Sequence, residues 1–126
     1  GELPAVGERE ARRRAQDAAN NALLLRRLAQ AQAQVPAASR DAYFVCTLVA
    51  LRHADDPEPL VATGRWPGTL LDAPRGEGGF GYDPLLLIPG EGATVAELAP
   101  EVKNRLSHRA QAARALHGLL AAVWRL

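Results

Sequence analysis

The fold is decided by an apolar hairpin, whose first strand reads Ala42-Tyr-Phe-Val-Cys-Thr-Leu-Val-Ala-Leu51. This run is apolar at both alternating sets of positions, which is typical of a strand inside a sheet. The turn-forming run His53-Ala-Asp-Asp-Pro-Glu-Pro59 follows, and Leu60-Val-Ala-Thr-Gly-Arg-Trp66 returns as the second strand. Asp55 and Asp56 could suggest a metal site, but the two prolines close behind them favour a turn.

Helices are predicted on both sides of this hairpin. Residues 8 to about 34 are rich in Ala, Leu, Arg and Gln and predict an amphipathic helix. Pro100 suits the first position of a short helix through Arg105, and Ser107 caps a final helix that starts at His108. One face of the first helix is predicted from residues at steps of three and four, namely Ala15, Ala18, Ala22, Leu25, Leu28, Ala29 and Gln32. An apolar stripe is expected on the last helix, with His117 beside it as a structural residue, and consists of Ala112, Ala113, Leu116, Leu119, Leu120 and Val123.

Two further strands are predicted between the hairpin and the short helix. The run Trp66-Pro67-Gly68 is expected to bend the chain before a third strand at residues 69–72, and residues 85–88 form a fourth, buried strand. The predicted fold class is α/β, with a mixed, largely antiparallel sheet flanked by helices. A chain of 126 residues fits a single domain over residues 1–126.

The composition excludes several functional classes. With 15 basic against 14 acidic side chains, the net charge is +1, too weak a field to predict binding to nucleic acid or to an anionic membrane. No apolar run approaches the length of a membrane span, and Arg12-Arg13-Arg14 leads into polar sequence rather than a signal peptide. A cytoplasmic protein is therefore expected.

Cysteine and lysine each occur only once in the chain. Cys46 lies in an apolar run and is expected to be a small buried hydrophobe rather than a reactive thiol. Lys103 is the only lysine among the 15 basic residues. A compact ammonium and a planar guanidinium serve a phosphate differently, so position 103 could need an ammonium, with chance as the alternative.

A glycine-rich loop precedes the predicted fourth strand and reads Gly76-Glu-Gly-Gly-Phe-Gly-Tyr-Asp-Pro84. Its glycines match the dinucleotide fingerprint formally, but that motif must open a helix, and here a strand follows. Phe80, between two glycines, could present its ring to a base, and Asp83 adds a carboxylate. The alternative is an ordinary connecting loop with Phe80 in the core.

A second polar group surrounds the start of the final helix, where free backbone N–H groups favour an anion. It consists of Lys103, Ser107, His108 and Arg109. The fork of Arg109 could donate to both O6 and N7 of a 6-keto purine, whereas adenine presents an amino donor at that edge. A solvated helix end is the alternative.

Together these motifs closely resemble the inosine-triphosphate pyrophosphatase family, which acts on non-canonical purine nucleoside triphosphates. The resemblance runs from about Asp17 to about Leu120 and is carried by Asn20-Asn21, Gly64-Arg65-Trp66-Pro67-Gly68, Gly78-Gly-Phe-Gly-Tyr-Asp-Pro84, Ala96-Glu97-Leu98, Lys103-Asn104 and Ser107-His108-Arg109. It implies hydrolysis of inosine, deoxyinosine and xanthosine triphosphates to the monophosphate and pyrophosphate, with Mg²⁺ and usually as a homodimer.

The resemblance also implies the roles of individual residues. Phe80, Gly81, Tyr82 and Asp83 would frame the base, Lys103 would reach the phosphates, and His108 and Arg109 would bind the 6-keto edge. The chain departs from the family at Ala110, where the family usually has Gly, and it lacks the family's Thr-Gly-Asn and Asp-Asp-Ser-Gly segments.

These departures predict the C-terminal portion of such an enzyme, an N-terminally incomplete domain that supplies the base- and phosphate-binding half. No catalytic residue and no metal ligand is predicted within it, since the base and the Mg²⁺ ligands are expected mainly in the missing segment. Two alternatives are open: a non-catalytic nucleotide-binding or dimerisation module, and a structural α/β fragment.

Overall fold

A computed structural model describes residues 6–36 and 39–126 and confirms the predicted α/β class. Its helices are α1 (Val6–Gln34), α2 (Pro100–Leu106) and α3 (His108–Leu119), the last continued by a π-helical turn, Leu120–Trp124. Its strands are β1 (Asp41–Ala50), β2 (Leu60–Leu70), β3 (Leu86–Ile88) and β4 (Ala93–Thr94). They form one sheet in the order β1-β2-β3-β4, and β3 pairs antiparallel with both of its neighbours.

The chain divides into two compact units. The first holds the described residues up to Ala42 together with Gly68–Leu98, and the second holds Tyr43–Pro67 and Ala99–Leu126. Within the described ranges, no helix combines the length and the apolar character needed to cross a membrane.

The core of the first unit is built on β3 and the turns beside it. Its fully buried side chains are Leu85, Leu86, Val95 and Thr94. Leu87 pairs with Thr69 of β2 on one side and with Thr94 of β4 on the other. Arg40 joins the segment before β1 to the end of β2. Its Nε donates to the Leu70 carbonyl at 2.8 Å, and its Nη2 donates to the Leu71 carbonyl at 2.7 Å.

The predicted bend at residues 66–68 is wrong, as is the separate third strand at 69–72. β2 instead runs unbroken for 11 residues, with alternate residues buried from Leu60 to Gly68. Pro67 precedes Thr69 and Leu70, where β2 pairs with β3, and Gly68 lets the strand approach Leu86 closely. The strand β4 was not predicted, because two residues carry no periodicity. Leu85 belongs to a 3-10 turn, Asp83–Leu85, rather than to a strand.

In the second unit, α3 packs against β2 at a glycine. A Cβ added to Gly64 would lie 2.7 Å from the Ala112 backbone nitrogen and would also collide with the His108 carbonyl. The predicted cap of α3 is confirmed, since the Ser107 hydroxyl accepts the Ala110 N–H at 3.1 Å. Gln111 adds a link, because its side chain accepts the Arg65 N–H and donates to the Leu106 carbonyl.

The predicted apolar stripes are only partly correct. In α3, Ala112 is buried and the leucines are half-buried, but Ala113, His117 and Val123 are exposed. In α1 the described alanines of the stripe are exposed, and the buried residue is polar, Asn21. Cys46 is half-buried rather than buried. Helical periodicity locates a face, but it does not determine how much of that face a neighbouring element covers.

The turn of the hairpin is organised by Asp56, as the prolines indicated. Its carboxylate accepts the backbone N–H groups of Arg52 and Glu58 at 3.0 and 2.9 Å, and it also accepts the Arg52 guanidinium. These bonds, the one from the Arg52 side chain above all, hold the pKa of the Asp56 carboxyl well below its ordinary value of 3.8.

We predict that replacing Gly64 by Ala destabilises the chain by about 1–3 kcal/mol, because the added methyl group forces α3 away from β2. Gly118→Ala is the matched control, since a Cβ there meets nothing within 4 Å and Ala is the better helix former. Thermal unfolding of both variants measures the difference. A melting temperature of Gly64→Ala at or above that of the unmodified chain would contradict this packing.

The lowered pKa of Asp56 predicts an acid-dependent stability. A carboxyl whose folded pKa is depressed stabilises the fold fully above its unfolded pKa, and this contribution is lost as pH falls below that value. Asp56→Asn should therefore lower the free energy of unfolding at pH 7. Between about pH 5 and pH 3, the free energy of unfolding of this variant should fall less steeply than that of the unmodified chain. Urea unfolding at each pH tests this, with the exposed Asp55→Asn as control, and parallel declines for all three proteins would refute it.

Candidate functional site

The glycine-rich loop of the first unit adopts a conformation that requires its glycines. Gly76, Gly79 and Gly81 have φ angles of 89°, 73° and 61°, in the left-handed region that side chains disfavour. The loop leads into the 3-10 turn Asp83–Leu85 and then β3, not into an α-helix. This context supports rejection of the dinucleotide-binding motif.

Asp83, itself a residue of the loop, stabilises the loop by hydrogen bonds to Phe80. It is only 5% exposed, and its Oδ2 accepts the Phe80 N–H at 3.0 Å. Its own N–H donates to the Phe80 carbonyl at 3.2 Å, so residues 80–83 form a closed turn. The rings of Phe80 and Tyr82 are left 49% and 42% exposed, which is inconsistent with the alternative of Phe80 as a core residue.

Two residues of α1 that the sequence did not mark as site residues hold the same loop. Asp17 Oδ2 accepts the Gly81 N–H at 2.9 Å, and Asn21 Nδ2 donates to the Gly81 carbonyl at 3.2 Å. An asparagine pair inside an Ala-rich helix was the available signal, because Asn is a weaker helix former than Ala. A cavity of about 640 Å³ lies between α1 and the loop, and Phe80 is one of its lining residues.

The start of the loop is held by the segment 94–97, which contains part of the Ala96-Glu97-Leu98 motif. The Ala96 carbonyl accepts the Gly78 N–H at 3.2 Å, and Arg75 Nη2 pairs with Glu97 Oε1 at 2.9 Å. Glu97 also accepts the Thr94 N–H at 2.9 Å. That N–H, followed by the charge of Arg75, lowers the pKa of the Glu97 carboxyl. The motif therefore positions the loop.

The second predicted group lies in the other unit, at the junction of α2 and α3. The Lys103 carbonyl accepts the Ser107 N–H at 2.9 Å, so α2 ends where the cap of α3 begins. The half-buried His108 ring packs against Phe44 and Trp66, with ring centroids 5.2 and 6.4 Å apart. Lys103 is half-buried, and Arg109 is exposed in the first turn of α3.

The structure thus brings the predicted site residues together in two groups. Phe80, Gly81, Tyr82 and Asp83 form the closed turn of the first unit. Lys103, His108 and Arg109 lie at the helix junction of the second unit.

Metal-ligating side chains do not cluster in the part of the chain that the structure describes. Over residues 6–36 and 39–126, no three His, Cys, Asp or Glu side chains are placed to hold an ion.

Comparison with known proteins decides the family. The Ham1 family model matches residues 3–119. The chain belongs to the Ham1 family. It is 62% identical over 122 residues to a dITP/XTP pyrophosphatase of Methylibium petroleiphilum, covering 97% of this chain and 55% of that protein. A dITP/XTP pyrophosphatase of Leptothrix cholodnii is 59% identical over 118 residues, covering 94% of this chain and 53% of that protein.

Solved structures of Ham1 proteins share the fold. The HAM1 protein from Coxiella burnetii matches with a TM-score of 0.70 and 37% identity over 80% of this chain and 51% of its own. The Staphylococcus aureus Ham1 protein matches with a TM-score of 0.69 and 36% identity over 82% and 50%. The family resemblance drawn from the motifs is confirmed, and the chain spans about half the length of the curated relatives it matches.

The two central glycines of the loop predict different costs of substitution. Gly81→Ala should cost about 1–2 kcal/mol, the strain of a left-handed Ala, because a Cβ there meets nothing within 4 Å. Gly79→Ala should cost more, since its Cβ would also collide with the Asp83 carboxylate and displace the Phe80 N–H. Urea unfolding of both variants measures the two losses in free energy of unfolding. A loss in Gly79→Ala that is equal to or smaller than the loss in Gly81→Ala would contradict the role of Asp83.

Proposed function

We propose that this chain is the base- and phosphate-binding part of an enzyme that hydrolyses inosine, deoxyinosine and xanthosine triphosphates to the monophosphate and pyrophosphate. Membership of the Ham1 family and the names of the similar pyrophosphatases support this proposal. The observation that carries it is the closed turn of residues 80–83, which presents an exposed aromatic ring on a fixed backbone.

The base is assigned to Phe80, Gly81, Tyr82 and Asp83. Stacking of a base on an aromatic ring contributes about 1–3 kcal/mol, and Phe80 offers such a ring, half exposed. Gly81 adds no side chain beside it, and a Cβ built there would meet no described residue within 4 Å. The carboxylate of Asp83 acts here by holding the Phe80 N–H, which keeps the ring presented.

The phosphates and the 6-keto edge are assigned to the second unit. Lys103 supplies a compact positive charge suited to phosphate oxygens. Arg109, exposed on the first turn of α3, can donate two hydrogen bonds to O6 and N7 of a 6-keto purine. The His108 ring packs on Phe44 and Trp66, and these contacts hold its imidazole in place at the start of α3.

The proposal assigns no catalytic residue and no metal ligand to the described residues. Hydrolysis at the α-phosphorus needs an activated water and neutralisation of the triphosphate charge, for which the resemblance implies Mg²⁺ with ligands mainly outside this chain. A single domain organisation, a cytoplasmic location and a homodimer belong to the same proposal.

Base recognition and phosphate binding predict different effects of two substitutions. Arg109→Ala should reduce the preference for inosine over adenosine triphosphate by about 1–3 kcal/mol, because the fork to O6 and N7 is lost. Lys103→Ala should weaken both nucleotides equally, since phosphates are common to them. Calorimetric titration measures each affinity.

Arg114→Ala is the matched control for that titration, an exposed arginine on the same helix. Unchanged affinities in both Arg109→Ala and Lys103→Ala would remove the proposed site. Pyrophosphate release from inosine triphosphate should be negligible for this chain and restored by an N-terminal extension with the family's Thr-Gly-Asn and Asp-Asp-Ser-Gly segments. Rapid release by the chain alone would contradict the assignment of the chemistry to that extension.

A further inference from the structure

We infer that Asp17 and Asn21 of α1 are positioning residues, which hold the backbone of Gly81 and thereby set the direction in which Phe80 presents its ring. This inference rests on the proposed function, because it concerns how that site receives a purine. It assigns a role to Asn21, which the resemblance carried only as part of Asn20-Asn21, and to Asp17, which marked only the start of the resemblance.

Both backbone polar groups of Gly81 are bound by α1. The N–H donates to Asp17 Oδ2 at 2.9 Å, and the carbonyl accepts from Asn21 Nδ2 at 3.2 Å. Asp17 and Asn21 are four residues apart, so they lie one above the other on the same face of the helix. Two side chains of one rigid element therefore hold one loop residue that is 60 and 64 positions away in sequence.

Two carboxylates act on the peptide groups that flank Phe80, and Asn21 acts on the next peptide group, between Gly81 and Tyr82. The peptide before its Cα carries the Phe80 N–H, which Asp83 accepts at 3.0 Å. The peptide after it carries the Gly81 N–H, which Asp17 accepts. Carboxylates thus fix the planes on both sides of the Phe80 Cα, and with them the direction of its Cα–Cβ bond.

The burial of Asn21 supports a specific need for its amide. It is 6% exposed, and among the described residues its buried Oδ1 finds no hydrogen-bond partner. An unsatisfied buried acceptor costs stability, so an apolar side chain would suit this position better unless the amide donor is required. The donor is used on Gly81, and Asn21 also lines the cavity that Phe80 lines.

The test compares Asn21→Ala, Asp17→Ala and Asp17→Asn with Asn20→Ala, using the full chain. Asn20 is the matched control, because its side chain bonds to Gln16 on the same helix rather than to the loop. Amide hydrogen exchange at Gly81, followed by NMR, reports the hold on the loop directly. Titration with inosine triphosphate reports its consequence for binding, and circular dichroism confirms that α1 is retained.

We expect exchange at Gly81 to accelerate roughly tenfold in Asp17→Ala and Asn21→Ala, with a weaker affinity for inosine triphosphate. Asp17→Asn, which keeps an acceptor oxygen, should restore most of both properties, and Asn20→Ala should change neither. Unchanged exchange at Gly81 in both alanine variants would overturn the inference.

Two further outcomes separate this inference from the proposed function. Faster exchange with unchanged affinity, in a chain where Phe80→Ala weakens binding, would overturn the positioning role and leave the proposed function standing. A chain whose affinity is unaffected by Phe80→Ala, Lys103→Ala and Arg109→Ala alike would overturn the proposed function, and the positioning role with it.

Discussion

The two hydrogen bonds that carboxylates accept from the N–H groups of Phe80 and Gly81 are the constraint on which the loop of the first unit depends. Three left-handed glycines make this loop flexible in the unfolded chain, and fixing each residue costs about 1–2 kcal/mol of conformational entropy. Asp83 and Asp17 offset that cost during folding. A ligand that stacks on Phe80 then meets a backbone already ordered, so less of its binding energy is lost to ordering the site.

The second unit depends on a different constraint, the close approach of α3 to β2. Gly64 permits that approach, and the Ser107 cap sets where α3 begins. The same cap follows the last turn of α2, so the position of Lys103 and that of Arg109 are determined by one helix junction. The His108 ring, packed on Phe44 and Trp66, ties this junction to the inner face of the hairpin.

Local signals predicted much of this architecture. Proline at the start of α2 and serine before α3 located both helices, because caps act within one turn, and the hairpin strands followed from residue pattern and turn chemistry. The bend at Pro67 was wrong, because β2 continues through this proline to its pairing with β3 at Thr69 and Leu70. Helical periodicity failed for α1, where a polar residue rather than alanine is buried.

In the candidate site too, residues close together in sequence were predicted, whereas contacts between distant residues were not. The loop and the Lys103, His108 and Arg109 group could be recognised as motifs from sequence, because each is contiguous or nearly so. The partners of the loop could not be, since Asp17 and Asn21 meet Gly81 only through tertiary structure. Nor did sequence reveal that the Asp83 carboxylate is directed at the backbone of its own turn.

The most direct test of the proposed site is NMR mapping of deoxyinosine triphosphate on this chain, with deoxyadenosine triphosphate as the comparison. The amides of residues 80–83 and of Lys103, His108 and Arg109 are expected to shift with deoxyinosine triphosphate and to respond much less to the adenine nucleotide. Shifts confined to other residues, or equal shifts with the two nucleotides, would contradict it.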